Sequence, residues 1–404
     1  MTGVQTCALP IYYPAGQVRW TEGRNQEAVL DLLAAGRLQV SDLVTQTFGI
    51  EGTDEAYRLL DERTEPCLAI SLRYPAAADA AGPVRLRARP DEAARTGEPG
   101  VGWIGAGAFS TGTLLPAFRQ AGFARFVAVA TASGVSARRA AERHGFEQAV
   151  TGAGAVIGDP DVGVVVIATP HDIHEELTCQ ALAAGRDVWC EKPVALSLAG
   201  LDEVEKAWRG SGRQLTLGFN RRWAPAVLAA QRALAQVGGP KLVVCRVAAG
   251  QVPAGHWYLD RRQGGRLPGE VCHFVDLAQA LTGAEVEDAI GVLGGDVVQG
   301  HDGVVVALRF ADGSVASVTY GSTPPVAGKE RIEVLAGSQQ VIIDDFRSVQ
   351  VNGRTVWKGR ADKGHRAHAA AFRLAVRGGP ALPTAAMLGT MRATLQAADR
   401  ARSA

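Results

Sequence analysis

The sequence predicts an α/β Rossmann-type domain followed by an α+β domain with an open-faced, mainly antiparallel sheet. Three observations carry that expectation. Short apolar runs alternate with helical stretches from Val101 to Leu217, and a glycine turn, Gly105-Ala106-Gly107, directly follows the first of those runs. From Lys241 onward the order changes to one helix and then successive strand-like runs separated by turn residues.

Taken in order, the chain of 404 residues exceeds the roughly 250–300 at which a single core stops growing, so more than one compact unit is expected. Gln26 to Ala35 reads as an amphipathic helix stopped by Gly36, and Thr53 to Asp61 as a helix with Asp54 and Glu55 in its first turn. From Pro75 to Glu98, Pro, Ala, Gly and scattered Arg replace any sustained apolar period, as linkers do. The expected units are therefore residues 1–75, a linker at 76–98, a Rossmann domain at 99–219 and an α+β domain at 220–404. Strands are predicted at Val101–Ile104, Phe126–Ala130, Val164–Ala168, Asp187–Cys190 and Gln214–Leu217, with helices at Ser136–Arg143, Ile173–Ala184 and Leu198–Trp208 between them. The second domain is expected to hold a helix at Cys272–Leu281 and strands at Gly303–Phe310, Ser314–Tyr320, Arg331–Leu335 and Gln340–Ile343. Helices at His365–Arg377 and Thr384–Arg400 would close it.

Composition narrows the function classes. Lys+Arg 42 against Asp+Glu 41 leaves no surface built to neutralise a phosphate polymer or an anionic membrane, so neither nucleic acid nor membrane is an expected partner. The six cysteines are scattered without a C-x-x-C pair, which suits a reducing compartment and offers no metal spacing. With no apolar run approaching about 20 residues and no signal-peptide pattern, the chain is read as cytoplasmic.

Val101-Gly102-Trp103-Ile104 runs straight into Gly105-Ala106-Gly107-Ala108-Phe109-Ser110, a strand entering a G-x-G-x-x-small turn. The first glycine permits the tight turn, the second lets backbone N–H groups approach a pyrophosphate, and the small Ser110 lets the helix pack close. Gly105, Ala106, Gly107, Phe109 and Ser110 are thus candidates for holding a dinucleotide. Roughly 20 residues on, where an acid would accept the ribose 2′-hydroxyl of NAD, stand Thr131 and Ser133. No carboxylate is there, and Arg138 and Arg139 either meet a 2′-phosphate or lie on a solvated helix face, so NAD and NADP both remain open.

Two further strand ends point to the same edge of the sheet, where open α/β sheets bind ligands. Thr169, Pro170 and His171 follow one, with His174 a turn later; Glu191 and Lys192 follow the other. Moving a hydride from an alcohol carbon requires taking up the hydroxyl proton. A lysine beside a positive nicotinamide ring and partly desolvated favours the neutral amine that can do so, and Lys192 is the candidate.

Gly105 to Ser110, Thr169-Pro170, Glu191-Lys192-Pro193, Gly218 to Trp223 and the stretch from Gly264-Gly265-Arg266 through His273 and Asp276 to Gly283 resemble the Gfo/Idh/MocA family over about residues 99–400. The resemblance implies oxidation or reduction of sugars, polyols or related cyclic substrates with NAD or NADP, Lys192 as catalytic lysine and His273 as its substrate-side acid/base partner. It further implies Asn220, Arg221 and Arg222 near the domain junction, and a homo-oligomer formed through the C-terminal sheet. Many relatives carry an aspartate four residues before the matched histidine, where this chain has Gly269 and then Glu270. Glu270 either substitutes catalytically or compensates helix N-terminal charge, and Asp276 either orients the His273 imidazole or fixes packing. Trp257 and Tyr258 stand in an aromatic stretch that suits a sugar loop or a core cluster equally. His365 and His368 lack a third ligand and are read as structural, with no metal expected.

Two alternatives to a sugar dehydrogenase stay open: a sensory nucleotide-binding member of the same fold, and a glycoside-cleaving enzyme with bound NAD. Trp20 through Leu60 resembles the final helices and strand of medium-chain, alcohol-dehydrogenase-like enzymes, which suggests a fusion remnant. Met1 to Ile11 resembles translated sequencing adapter.

Overall fold

The computed structural model describes residues 22–62, 65–74, 84–86, 99–253, 256–296, 301–324 and 328–403. Residues 1–11 and most of the expected linker at 76–98 lie outside them. The chain divides into two compact units, one up to Ala80 and one from Ala81.

In the first unit, α1 (Glu22–Ala34), β1 (Val44–Gly49), α2 (Thr53–Glu62) and β2 (Ala69–Arg73) follow in order, with β1 and β2 paired in parallel. Among its described residues Ala56 alone is buried, while Leu30, Tyr57 and Leu60 are exposed. So short a segment has too little apolar surface to build a core.

The second unit begins with β3 (Val84–Arg85), β4 (Gly100–Ile104), β5 (Phe126–Thr131), β6 (Gln148–Thr151), β7 (Val162–Ile167), β8 (Asp187–Cys190) and β9 (Leu215–Leu217). They form one sheet in the order β3-β6-β5-β4-β7-β8-β9, parallel throughout except for β3. Helices α3 (Leu115–Gln120), α4 (Gly134–His144), α5 (Ala153–Ile157), α6 (His174–Ala183) and α7 (Leu198–Ser211) connect the strands. Continuous apolar strands such as Val162–Ile167 arise because both faces are covered: Val101, Trp103, Val164, Val166 and Trp189 pack into one layer, and Ile104, Val165, Ile167 and Val188 into the other.

After α8 (Pro225–Leu234) comes the second sheet, from β10 (Lys241–Ala248) through β11 (Val286–Asp296), β12 (His301–Phe310), β13 (Val315–Gly321), β14 (Glu330–Ala336), β15 (Gln339–Asp344), β16 (Ser348–Val351) and β17 (Arg354–Lys358). Its order is β11-β12-β13-β10-β14-β15-β16-β17, antiparallel except at β10 and β13. One face buries Val243, Cys245, Val306, Val318 and Ile332 against α9 (Cys272–Thr282) and α8, and the alternate residues Leu242, Val305 and Leu335 are exposed. In this second unit, strands β3, β6, β10, β11, β16 and β17 lie outside the sequence-predicted set.

The last two helices depart from expectation. α10 (His365–Val376) buries Ala369 and Phe372 against Trp103, Phe118 and Trp189, and α11 (Thr384–Ser403) inserts Met387, Leu388 and Met391 into the opposite layer of the parallel sheet. Rather than closing only the second domain, the C-terminal segment returns across the first. That return places residues 363–365 at the carboxyl ends of the parallel strands.

Among the described residues no helix is long and apolar enough to cross a membrane.

Candidate active site

A cleft of about 1010 Å³ opens where β4, β5, β7 and β8 end, and residues of the second sheet's connections form its far wall. On the near wall, Gly105 turns the chain at φ +94°, and a Cβ there would meet the Ala168 carbonyl oxygen at 2.4 Å. Only glycine fits both the backbone and the approach. A Cβ at Gly107 would meet nothing within 4 Å, so its backbone faces open space. Ser110 locks the loop from behind: its hydroxyl donates to the Gly105 carbonyl at 2.7 Å and accepts from the Trp103 indole at 2.7 Å. Thr131 and Ser136 line the cleft further out, with Ser133 capping α4 through the Ser136 amide. Arg138 is tied to Glu142 along the exposed face of that helix, at 2.9 Å, which is the solvated reading of that arginine.

Thr169, Pro170, His171 and His174 border the middle of the cleft. The Thr169 hydroxyl is buried and has no hydrogen-bond partner, an orphan that a ligand in the cleft would satisfy. His174 braces the two strand ends, its ring nitrogens lying 2.9 Å from the Thr169 carbonyl and 2.8 Å from the Pro193 carbonyl. The peptide joining Lys192 to Pro193 is cis. These features fit a dinucleotide: a backbone cradle at Gly105 and Gly107, an orphaned hydroxyl halfway along, and hydroxyls at the outer end.

Lys192 reaches across the cleft floor, and its Nζ donates to the Gly269 carbonyl at 2.6 Å. Gly269 sits in a π-helical turn, Leu267–Val271, that opens α9. Position 269, where the family resemblance implied an aspartate, thus supplies a backbone oxygen to the lysine. Glu270 does not join it. Its carboxylate accepts from Arg266 at 3.1 Å and from the Tyr320 hydroxyl, and it is absent from the cleft lining, so the structure does not bring this sequence-predicted residue to the lysine. His273 does line the cleft, with Nδ1 buried and unpartnered. Burial, followed by Arg221 and Lys192, holds it well below the usual imidazole range, so it is neutral. Glu191 is buried under the site, accepting from the Trp189 indole at 3.1 Å, and burial raises its pKa against the pull of Lys192.

The substrate-side residues divide. Asn220, Arg221 and Trp257 line the cleft, the last edge-on to His171 at 5.0 Å. Arg222 and Asp276 do not. They form a buried fork, Nε to Oδ2 at 2.9 Å with Nη2 on Oδ1, so Asp276 neither orients His273 nor faces substrate. Their apposition is a buried ion pair that ties the Asn-Arg-Arg segment to α9. The side chain of Tyr258 lies outside the described residues. Lys363 was missed by sequence reasoning and His365 was read as structural: both line the cleft, and the His365 ring lies 5.9 Å from Phe109 of the glycine turn. Only the return of α10 brings them there. Among the described residues no group of His, Cys, Asp and Glu is arranged to hold a metal ion.

Burial also pushes His171 and His365 down to about 4, and lowers His174 and His368. The folded state therefore keeps the His171 and His365 rings neutral while the unfolded chain takes up protons near pH 6.5, so their stabilisation is present above that value and lost as pH falls toward 4. We expect urea unfolding to lose about 2 kcal/mol for each of His171 and His365 between pH 7 and pH 5. A midpoint that is flat over this window would overturn their assignment as neutral in the fold.

A doubly wound parallel sheet with a glycine turn under a cleft that also holds a lysine and a neutral histidine defines an NAD(P)-dependent oxidoreductase acting on CH–OH groups. Residues 100–219 match the oxidoreductase family with NAD-binding Rossmann fold, and residues 227–342 match the GFO/IDH/MocA C-terminal domain. The chain belongs to the Gfo/Idh/MocA family. The inositol 2-dehydrogenase of Rhizobium meliloti (strain 1021) is 29% identical over 241 residues, 56% of this chain and 70% of that protein. The 1,5-anhydro-D-fructose reductase of Ensifer adhaerens is 29% identical over 227 residues, 53% and 67% of the two chains. In fold, the solved levoglucosan dehydrogenase in complex with NADH and levoglucosan is similar with a TM-score of 0.66 at 23% identity, over 76% of this chain and 98% of that one.

Proposed function

We propose that the protein oxidises or reduces a ring carbon of a sugar, polyol or related cyclic substrate, with Lys192 moving the hydroxyl proton. The observation that carries this reading is the meeting of Lys192 and neutral His273 at one end of a cleft whose other end is the Gly105/Gly107 cradle. A bound nicotinamide dinucleotide supplies the hydride acceptor or donor. Gly105 to Phe109 would hold its phosphates, Thr131 and Ser136 its outer ribose, with Ser133 spent on the cap of α4, and Thr169 to His171 its inner half, braced from behind by His174. The Gly269 carbonyl holds Lys192 Nζ at the cleft floor, where the neutral amine would take the substrate hydroxyl proton in oxidation and the ammonium would return it to the new alkoxide in reduction. His273, neutral with an unpartnered nitrogen, orients that hydroxyl, and Asn220, Arg221 and Trp257 bind the rest of the substrate. The relatives named as inositol dehydrogenase and anhydrofructose reductase support the sugar and polyol class.

Absorbance of the reduced nicotinamide band across a panel of hexoses, inositols and sugar derivatives tests the reading, with NAD and NADP compared. Turnover of at least one such substrate is expected. Substrate loss with no net change in the band would favour a transient oxidation that breaks another bond. No turnover of any CH–OH substrate would sink the proposal.

The same reading includes a homo-oligomer through the exposed face of the second sheet, where Ile290, Val292, Val305, Val315, Leu242 and Leu335 are exposed and neighbouring strands pair Val292 with Val305 and Leu242 with Val315. It also takes the first unit as a remnant of a medium-chain dehydrogenase, and the cytoplasm as the compartment.

A further inference from the structure

We propose that the substrate half of the cleft takes a sugar carrying an anionic group, a carboxylate or a phosphate, which Arg221 and Lys363 hold. The inference rests on the oxidoreductase reading above and names the substrate class of that site.

Arg221 and Lys363 come from distant parts of the chain and are fixed together. The Asn220 side-chain amide donates to the Lys363 carbonyl at 2.7 Å. A Cβ at Gly364 would meet the Asn220 carbonyl oxygen at 2.5 Å, so the two segments are in close backbone contact. Behind the pair lies Glu330, whose side chain is 2% exposed. Arg221 Nη2 and Lys363 Nζ both donate to its Oε1, each at 2.9 Å. Two cations therefore share one carboxylate oxygen, and the cluster keeps a surplus positive charge.

Among the described residues Glu330 is the carboxylate that pairs with both cations; Asp345 and Asp362 accept from the backbone amides of Lys329, Glu330 and Gly364, and Glu270 is engaged by Arg266 and Tyr320. Glu330 does not line the cleft, whereas Arg221 and Lys363 do. The carboxylate grips them from the rear and leaves donors pointing forward. Arg221 is further held with its guanidinium 4.9 Å from the centre of the Phe274 ring, and its Nε has no partner. Among the lining residues Lys192, Arg221 and Lys363 are cationic and only Glu191 is acidic, and that acid neighbours Lys192 rather than Arg221 and Lys363.

Such a wall suits one chemistry. The hydroxyls of a neutral sugar call for acceptors as well as donors, and ammonium and guanidinium groups only donate. A preorganised guanidinium beside an ammonium, partly desolvated and short of negative charge, matches a carboxylate or phosphate, whose arrival would relieve the cost of the unneutralised cation. The two imidazoles beside them, His273 and His365, are kept neutral by burial with Arg221 adding to the effect, in keeping with a positive potential there.

The test compares matched ligands on the dinucleotide-loaded full chain: glucose against glucuronate for the carboxylate, and glucose against glucose 6-phosphate and a uridine diphosphate sugar for the phosphate. Calorimetric affinity and kcat/KM are both measured. A charge-assisted contact predicts at least about tenfold tighter binding of one anionic member, and the arm that shows it identifies the group. Lys363→Met should reduce that preference about tenfold; Glu330→Gln, which removes the rear carboxylate and keeps both cations, should preserve it even if Lys363→Met fails to fold. Anionic ligands bound no tighter than glucose would overturn the proposal. So would a Lys363→Met variant that weakens NADH affinity by titration while leaving the sugar preference intact, because the cations would then serve the dinucleotide. Tight anionic binding with no turnover of any ligand would instead count against the oxidoreductase reading and leave the charge assignment standing.

Discussion

Replacing Lys192 by Met lowers kcat by about 10²–10⁴-fold, the usual contribution of a positioned acid/base group. Among the described residues its side chain donates one hydrogen bond, to the Gly269 carbonyl, and its stem is close in shape to methionine. Leaving that carbonyl without its donor costs about 1–3 kcal/mol of stability, a separate and smaller effect. Rates and urea midpoints measured on the same preparation separate the two. Because the Lys192 contact is to a backbone oxygen, no substitution at position 269 removes the acceptor, and Glu270→Gln should leave the kcat defect of Lys192→Met unmatched. A Lys192→Met enzyme within fivefold of the parent would remove the lysine from proton transfer and return the choice of base to His273.

The largest expected effect on stability lies at Asp276. With the Arg222 side chain 9% exposed and that of Asp276 fully buried, Asp276→Asn leaves a guanidinium without its counter-charge in the interior. Breaking such a pair costs about 3–5 kcal/mol, a large share of the roughly 5–15 kcal/mol that holds a domain folded. Replacing both partners, Arg222→Met with Asp276→Leu, should recover much of the loss, since an apolar pair of similar volume avoids the desolvation of two charges. Urea unfolding of the two singles and the double settles it. Additive losses would mean that the two residues act independently and that the fork is not what ties the Asn-Arg-Arg segment to α9.

The same fork shows how far local pattern carries a site. The sequence put Arg222 in the Asn-Arg-Arg segment near the domain junction and Asp276 three residues after His273, where it either orients that imidazole or fixes packing. The structure gives them different partners: on α9, His273 lines the cleft and Asp276 pairs with Arg222. Positions three apart on a helix share roughly one face, and spacing alone does not say which neighbour packs against each. Glu270 failed for a related reason. Its carboxylate was claimed by Arg266 and Tyr320, the latter on β13, a partner that spacing on α9 could not reveal.

What the sequence by itself determined was everything that depends on local periodicity and backbone chemistry. Continuous apolar runs specified a parallel sheet, Gly105 and Gly107 specified the turn beneath the cleft, and the Glu-Lys-Pro segment placed Lys192 at a strand end. β10 was not legible in the sequence: Leu242 and Val244 are as apolar as the buried Val243 and Cys245, so its alternation shows only in burial, and the four residues of β6 were too short for a period to register. What only the tertiary structure decided was which distant side chains share the site. Lys363 and His365 lie some 140 residues from Asn220 and Arg221 and are brought beside them by the hydrogen bond from Asn220 and the close contact at Gly364. Non-local contacts of that kind come from packing two sheets against a returning helix, and no window along the chain contains them.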